Sequence, residues 1–276
     1  MGALISVVVV SYNNYDQTSG PCLASLMADD DSPPFEIVVV DNASLDGTAD
    51  RLRREFGGRP NVRLILNAAN RGFAGGNNDG VDAAKGEIVL LLNSDTQVPP
   101  GAVGALGATF ARHPQWGMLG AVTNEAGNEQ KIFTRGNSPA AIMEEGRRWC
   151  HQAGAAPMPS ARLDFFCVAM PRSLYRDLGG LDEGFGPGYF EDTDFSLRAI
   201  RAGVCMGFSE AVFVYHRGGQ SFARQGSSYV HRLMRANRRR LQAKHPGEVR
   251  LRHQRDCNLD IMARYADPRP VFKSPT

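Results

Sequence analysis

Gly86-Glu87-Ile88-Val89-Leu90-Leu91-Leu92-Asn93-Ser94-Asp95 decides the reading of the fold. Residues 88–92 form an unbroken apolar run, too short for an ordinary helix, and predict a strand buried on both faces. The run stops at Asn93-Ser94-Asp95, and Thr96 with the Pro99-Pro100 pair opens a new element. Ligands of a parallel α/β sheet lie beyond the carboxyl ends of its strands. An Asn-x-Asp placed there is aimed at a cleft, where Asp95 can hold a hard cation, Mg2+ or Mn2+, against phosphate oxygens. The same tripeptide is ordinary turn chemistry, so the rest of the chain has to decide.

Working outward, residues 4–10 read as a buried strand ending in the polar loop Ser11-Tyr12-Asn13-Asn14. A helix through residues 23–27 follows, then a second strand over 35–40 closing on Asp41-Asn42. Asp46-Gly47-Thr48 opens an amphipathic helix to Phe56, with Leu52 and Phe56 on one face. Residues 62–66 are a third strand, and Asn70-Arg71-Gly72-Phe73-Ala74-Gly75-Gly76-Asn77-Asn78 leads into a helix ending near Gly86. This strand–helix alternation predicts a parallel, doubly wound α/β sheet. Strand ends at Tyr12, Asp41 and Asp95 then share one edge. The Gly72–Gly76 stretch offers backbone that can approach an anion at a helix N-terminus. It is neither a dinucleotide fingerprint nor a Gly-x-x-x-x-Gly-Lys-Ser/Thr loop.

A short helix over 102–112 and a strand over 118–122 precede a polar region, 124–160, where periodicity fails and a long excursion that orders on ligand binding is expected. Residues 162–170 return to strand character, and 174–178 form a short helix stopped by Gly179-Gly180. Tyr189-Phe190-Glu191-Asp192-Thr193-Asp194-Phe195 then starts a helix capped by Gly203. Acids at a helix N-terminus complement its dipole and cap its N–H groups. Glu191-Asp192 behind two aromatic residues is also what a general base requires. The last strand, 212–216, ends in His216, a candidate metal ligand.

Composition is that of a globular protein, 42% apolar and 22% charged. Five scattered cysteines without a Cys-x-x-Cys pair indicate neither a zinc site nor a disulfide framework, so a reducing, cytoplasmic setting is expected. The start lacks the basic segment of a signal peptide, and no stretch is long and apolar enough to span a bilayer. Between Arg217 and Arg255 there are eleven Lys/Arg against one acid, Glu248, so a strongly basic C-terminal segment follows a mildly acidic body. Residues 227–244 can be drawn as a helix with Val230, Met234 and Leu241 along one side. Packing on the body is one expectation for it, and peripheral contact with anionic lipid on the inner face of the membrane is another. No recognition motif points to nucleic acid.

Taken in order, Val-Val-Val-Ser-Tyr-Asn, Val-Val-Asp-Asn-Ala-Ser, Asn-Arg-Gly-Phe-Ala-Gly-Gly-Asn-Asn, Leu-Asn-Ser-Asp, Phe-Glu-Asp-Thr-Asp and the late Tyr-His resemble the family 2 glycosyltransferases of GT-A fold. Within these the match is to the rhamnosyltransferase-like branch of bacterial polysaccharide assembly, over roughly residues 4–217. The resemblance implies an inverting, metal-dependent transfer from a UDP- or dTDP-sugar, rhamnose among the candidates, to a saccharide or lipid-linked acceptor. By position, Asp41 and Asn42 would meet the pyrimidine nucleoside, with Ser11, Tyr12 and Asn13 lining its pocket. Arg71, Gly75, Gly76 and Asn77 would lie along the nucleotide and diphosphate. Asn93-Ser94-Asp95 stands where the family has Asp-x-Asp, with Asp95 and His216 on the metal. Asn93 departs from the acidic first position. Asp192 would be the base, with Glu191 second. A catalytic region, 1–224, divides into a nucleotide-binding half, 1–122, and an acceptor-side half, 123–224; 225–276 is a basic helical extension. A sugar-phosphate nucleotidyltransferase and a catalytically silent nucleotide-sugar-binding module are the alternatives.

Overall fold

The computed structural model describes residues 3–154, 156–218 and 226–247. Strands β1 (Ile5–Ser11), β2 (Glu36–Asp41), β3 (Val62–Leu66) and β4 (Ile88–Asn93) alternate with helices α1 (Ser19–Met27), α2 (Thr48–Phe56) and α3 (Gly72–Ala83). β5 (Thr96–Gln97), α4 (Ala102–Arg112), β6 (Met118–Val122), α5 (Pro139–Gln152), β7 (Met158–Pro159) and β8 (Cys167–Pro171) follow. α6 (Arg172–Asp177), α7 (Glu191–Arg201), β9 (Met206–Phe213), β10 (Tyr215–His216) and α8 (Ser227–Lys244) complete the described chain.

Eight strands form one mostly parallel sheet in the order β3-β2-β1-β4-β8-β6-β9-β7. β8 runs against both of its neighbours, β4 and β6, so β6 and β9 recover the direction of β1 to β4. The carboxyl ends of β1, β2, β3, β4, β6 and β9 therefore lie along one edge. The sheet closes on one side with half-exposed β3, where Arg63 points to solvent. On the other it closes with two-residue β7, whose Pro159 sits opposite Gly207.

The predicted double-sided burial is observed. Val7, Val9, Ile37, Val39, Leu90 and Leu92 pack on one face under α1, α2 and α4. Val8, Val38, Val40, Val89 and Leu91 pack on the other with Val81 of α3 and Phe195 of α7. Small residues let α3 lie close to β1. A Cβ on Gly76 would come within 2.7 Å of Val10 Cγ1, and one on Gly80 would overlap Val8.

The region over 124–160 is not one long excursion. Ser138 Oγ accepts from Ala141 N at 3.3 Å and caps the fourteen-residue helix α5, with Pro139 in its first turn. Ile142, Met143, Gly146, Trp149 and Cys150 fall at helical spacing, and Gly146 lies directly on the Phe213 ring. Strand character over 162–170 narrows to β8, because residues 162–166 turn under the sheet edge. The last strand starts earlier than expected, at Met206, and breaks at Val214 before β10, which pairs with β5. In α8 the inward positions are Asn237 and Leu241, followed by His245 just past its end; Met234 is turned outward.

Leu91 is fully buried at the centre of the sheet. Leu91→Ala is expected to cost about 2–5 kcal/mol, seen as a lower urea midpoint at unchanged m-value.

Candidate active site

The edge where the parallel strands end carries most of the residues singled out above. β5 and β10 pair there, His216 opposite Thr96, which sets the His216 ring beside Asp95. His216 Nε2 lies 3.2 Å from Asp95 Oδ1, with both side chains largely buried. Its Nδ1 donates to the Glu125 carbonyl at 2.7 Å, and the ring stacks on Phe166 with centroids 5.4 Å apart. Asn124 fixes the backbone on both sides: His216 N donates to Asn124 Oδ1 at 2.9 Å, and Asn124 Nδ2 donates to His216 O at 2.8 Å. Burial disfavours the charged ring, but the hydrogen bond and charge of Asp95 outweigh it and raise the His216 pKa. With Nδ1 committed to a carbonyl, Nε2 faces the carboxylate, the arrangement in which a second partner orients a metal-binding imidazole.

Asn93 Oδ1, at the end of β4, is buried without a hydrogen-bond partner among the described residues. Ser94 is half-buried on the same turn. Asp41, at the end of β2, is 2% exposed; its Oδ2 accepts from Ser44 N at 3.0 Å, while the buried Oδ1 has no partner among the described residues. Tyr12 lies half-buried at the end of β1. An unpaired buried carboxylate oxygen is costly.

Other expected residues hold the scaffold. Ser11 Oγ is turned into α1, donating to Ser19 Oγ at 3.0 Å. Asn13 donates its N–H to Ser44 Oγ at 2.7 Å and accepts from Leu45 N at 2.8 Å, joining the loops after β1 and β2. Asn42 is a hub: Nδ2 donates to Asn70 Oδ1 and Gly72 O, while Oδ1 accepts from Asn67 Nδ2 and Arg71 N. Gly75 and Gly76 belong to α3 itself, and Asn77 is buried with its Nδ2 on Phe73 O at 2.9 Å. Arg71 grips Glu183 through two bonds of 2.8 and 2.9 Å and also pairs with Asp79.

The acidic turn comes from α7, whose first residues are Glu191 and Asp192. Tyr189 and Phe190 ahead of it have φ of 73° and 77°, left-handed values that aromatic residues rarely adopt. Glu191 Oε2 is buried without a partner among the described residues. Asp192 Oδ1 accepts from Thr193 N at 2.6 Å and Thr193 Oγ1 at 3.2 Å. Burial, and then the Asp192 charge, push the Glu191 carboxyl up; burial, and then the charge of Asp164, push Asp192 up, against Arg162 and the Thr193 bonds. Burial and like charge thus act on both carboxyls in the same direction, toward the protonated form.

Segment 162–166 ties this turn to the strand ends. Leu163 N donates to Ser196 Oγ at 3.4 Å, the Phe165 and Phe195 rings meet edge-on at 5.7 Å, and Phe166 O accepts from Asn93 N at 2.9 Å. Asp164 and Arg162 act on Asp192, and Asn124 and Glu125 hold His216, although no motif singled them out. Thr123-Asn124-Glu125 carried the available signal, since these polar residues directly follow another strand end. Among the described residues no group of three or more His, Cys, Asp or Glu could by itself hold a metal ion.

The chain is 26% identical over 262 residues to the N-acetylglucosaminyl-diphospho-decaprenol L-rhamnosyltransferase of Mycobacterium tuberculosis, covering 83% of this chain and 81% of that one. It is 25% identical over 246 residues to the low-salt glycan biosynthesis hexosyltransferase of Haloferax volcanii, with coverage of 82% and 71%. Its fold resembles a Pyrobaculum calidifontis mannosyltransferase in complex with GDP-Man and Mn2+, with TM-score 0.63, 20% identity and coverage of 96% and 70%. It also resembles S. aureus TarS in complex with UDP-GlcNAc, with TM-score 0.60, 18% identity and coverage of 95% and 72%. The architecture is that of the GT-A glycosyltransferases. The family described as glycosyl transferase family 2 matches residues 6–177, and with the strand-end carboxylates in place the chain belongs to it.

Proposed function

We propose that this protein is an inverting, divalent-metal-dependent glycosyltransferase that moves a sugar from a UDP- or dTDP-sugar to a saccharide or lipid-linked acceptor in cell-surface polysaccharide synthesis. The observation that carries this reading is Asp95 and His216 meeting on the same sheet edge as the Glu191-Asp192 turn. The rhamnosyltransferase relative, named for a diphospho-decaprenol acceptor, makes rhamnose a first donor sugar to test.

The Asp95 carboxylate oxygen and the His216 imidazole nitrogen, 3.2 Å apart, would hold Mn2+ or Mg2+. A cation held there supplies Lewis-acid neutralisation of the leaving diphosphate. Asp41 Oδ1 suits the N3–H of a uracil or thymine base, and Tyr12 and Ser94 would line the donor cleft. Asp192 takes the proton of the acceptor hydroxyl as its oxygen bonds to the anomeric carbon and the bond to the diphosphate breaks. One displacement by one base inverts that centre. Burial and the Asp192 charge push the Glu191 carboxyl up to about 8, which favours Asp192 over Glu191 as the base.

On this reading residues 1–122 form the nucleotide-binding half and 123–224 the acceptor-side half. The extension 225–276 begins with α8, whose exposed Arg232, Arg235, Arg238 and Arg239 suit an anionic membrane surface. No helix among the described residues is long and apolar enough to cross a membrane. The nucleotidyltransferase alternative needs free backbone N–H groups after β1. Those of Asn13 and Asn14 are taken by Ser44 and Asp46.

Thermal shift with UDP, dTDP, GDP and NAD, each with and without Mn2+, tests the donor site. UDP or dTDP at about 100 times Kd should stabilise the protein by about 2.7 kcal/mol. His216→Ala should remove the Mn2+-dependent part of that shift; stabilisation by NAD alone would refute the reading. Asp192→Asn should lower turnover about 10²–10⁴-fold while leaving nucleotide binding intact. Because Asp192 must be ionised and its pKa is raised, activity should fall as pH drops through a limb above the ordinary Asp value of about 3.9. Replacing Arg232, Arg235 and Arg238 together by Glu should abolish pelleting with phosphatidylglycerol vesicles; unchanged pelleting would remove the membrane contact.

A further inference from the structure

α8 does more than cover the body. Asn237, 6% exposed, points its side-chain amide at the loop between Asp182 and Glu191. Nδ2 donates to the carbonyl oxygens of Phe185 at 2.7 Å, Gly188 at 2.8 Å and Tyr189 at 3.1 Å. Only a donor fits against three carbonyls, so the amide orientation follows from its surroundings. The next turns of the helix continue the grip. Arg240 lies over the Phe185 ring at 5.5 Å and bonds to Asp182, and Lys244 reaches Asp182 at 2.9 Å and Asp194 at 2.8 Å. His245, fully buried, meets Asp194 Oδ1 at 2.7 Å, while Arg198 holds Asp194 Oδ2 at 2.9 Å.

The other side of the loop rests on α3. Phe73 N donates to Pro187 O at 3.2 Å, and Gly72, with φ of 71°, passes so close to Gly186 O that a Cβ would overlap it. Glu183 is held by Arg71 and by Asn78 Nδ2 at 3.0 Å. The segment leading into Glu191-Asp192 is thus fixed between the donor-side helix and α8. Its left-handed Tyr189 and Phe190 need such support, since residues in that region persist only where their surroundings over-determine them.

We propose that Asn237 is a positioning residue: through Phe185, Gly188 and Tyr189 it sets the α7 turn that presents Asp192 to the acceptor. The proposal rests on the assignment of Asp192 as base. Asn237 touches neither donor nor acceptor, so its loss acts on geometry, and a misplacement of about 1 Å can cost about 10²-fold in rate.

The test uses the full chain with Asn237→Leu, which keeps the bulk without the donor, Asn237→Asp, which sets a carboxylate against the three carbonyls, and Asp192→Asn. Hydrogen exchange follows residues 185–192. Calorimetry with UDP and dTDP plus Mn2+ gives affinity, and nucleoside diphosphate release from UDP- and dTDP-sugars gives kcat and KM. Both Asn237 variants should speed exchange in 185–192, leave β1 to β4 protected, keep nucleotide affinity within about twofold, and lower kcat about 10²-fold. Unchanged exchange in 185–192 overturns the proposal, as does an equal loss of kcat and nucleotide affinity. An inactive Asp192→Asn beside fully active Asn237 variants overturns the positioning role alone. An Asp192→Asn that retains turnover overturns the base assignment, and the positioning role with it.

Discussion

A parallel strand sealed on both faces can show polar groups only where it ends, and this single constraint organises the molecule. Val7, Val39, Leu90 and their neighbours fill one side of the sheet, and Val8, Val38 and Leu91 fill the other. Neither face has room for a polar ligand. Backbone direction then collects Ser11, Asp41, Asn93, Thr123 and Val214 along one edge, because the strands before them run the same way. The reversed strand β8 keeps this geometry. Lying between β4 and β6, it lets the later half of the chain join the sheet and still send its own strand ends to the common edge.

The electrostatic character of that edge follows from what is left unpaired on it. Asp41, Asn93 and Glu191 each keep one buried oxygen without a partner among the described residues, while nearby Asn42 and Asn77 are bonded through their side chains. Asp41 and Asn93 stand at strand ends, so on the proposed reading their desolvation cost falls where ligand donors would offset it. The strained Tyr189-Phe190 pair belongs to the same pattern.

The first four strands and their helices were legible because apolar runs and turn residues are local signals. α7 and α8 were equally legible, the latter over the same span, 227–244. What escaped depends on partners remote in the chain. The meeting of Asp95 with His216 was implied by the family resemblance alone; the two-residue pairing of β5 with β10 that produces it is announced by no periodicity. Arg71 is bound by Glu183, more than a hundred residues away in the chain, and no local pattern announces that pairing. α5 escaped because Gly146 interrupts its apolar face, and the purpose of that glycine is visible only with Phe213 against it. Asn237 did leave a trace: asparagine is a weak helix former and sits in an otherwise favourable run of Arg, Leu, Gln and Ala.

The two margins of the sheet have their own consequence. An open edge offers unpaired N–H and C=O groups on which another chain can add a strand. β3 meets this with a solvent-facing Arg63 in its middle, so an incoming strand would have to desolvate a guanidinium. β7 is two residues long and ends in Pro159, which has no N–H to offer. A sheet so rich in valine and leucine would otherwise be a template for self-association. Among the described residues, both margins are therefore blunted against the addition of another strand.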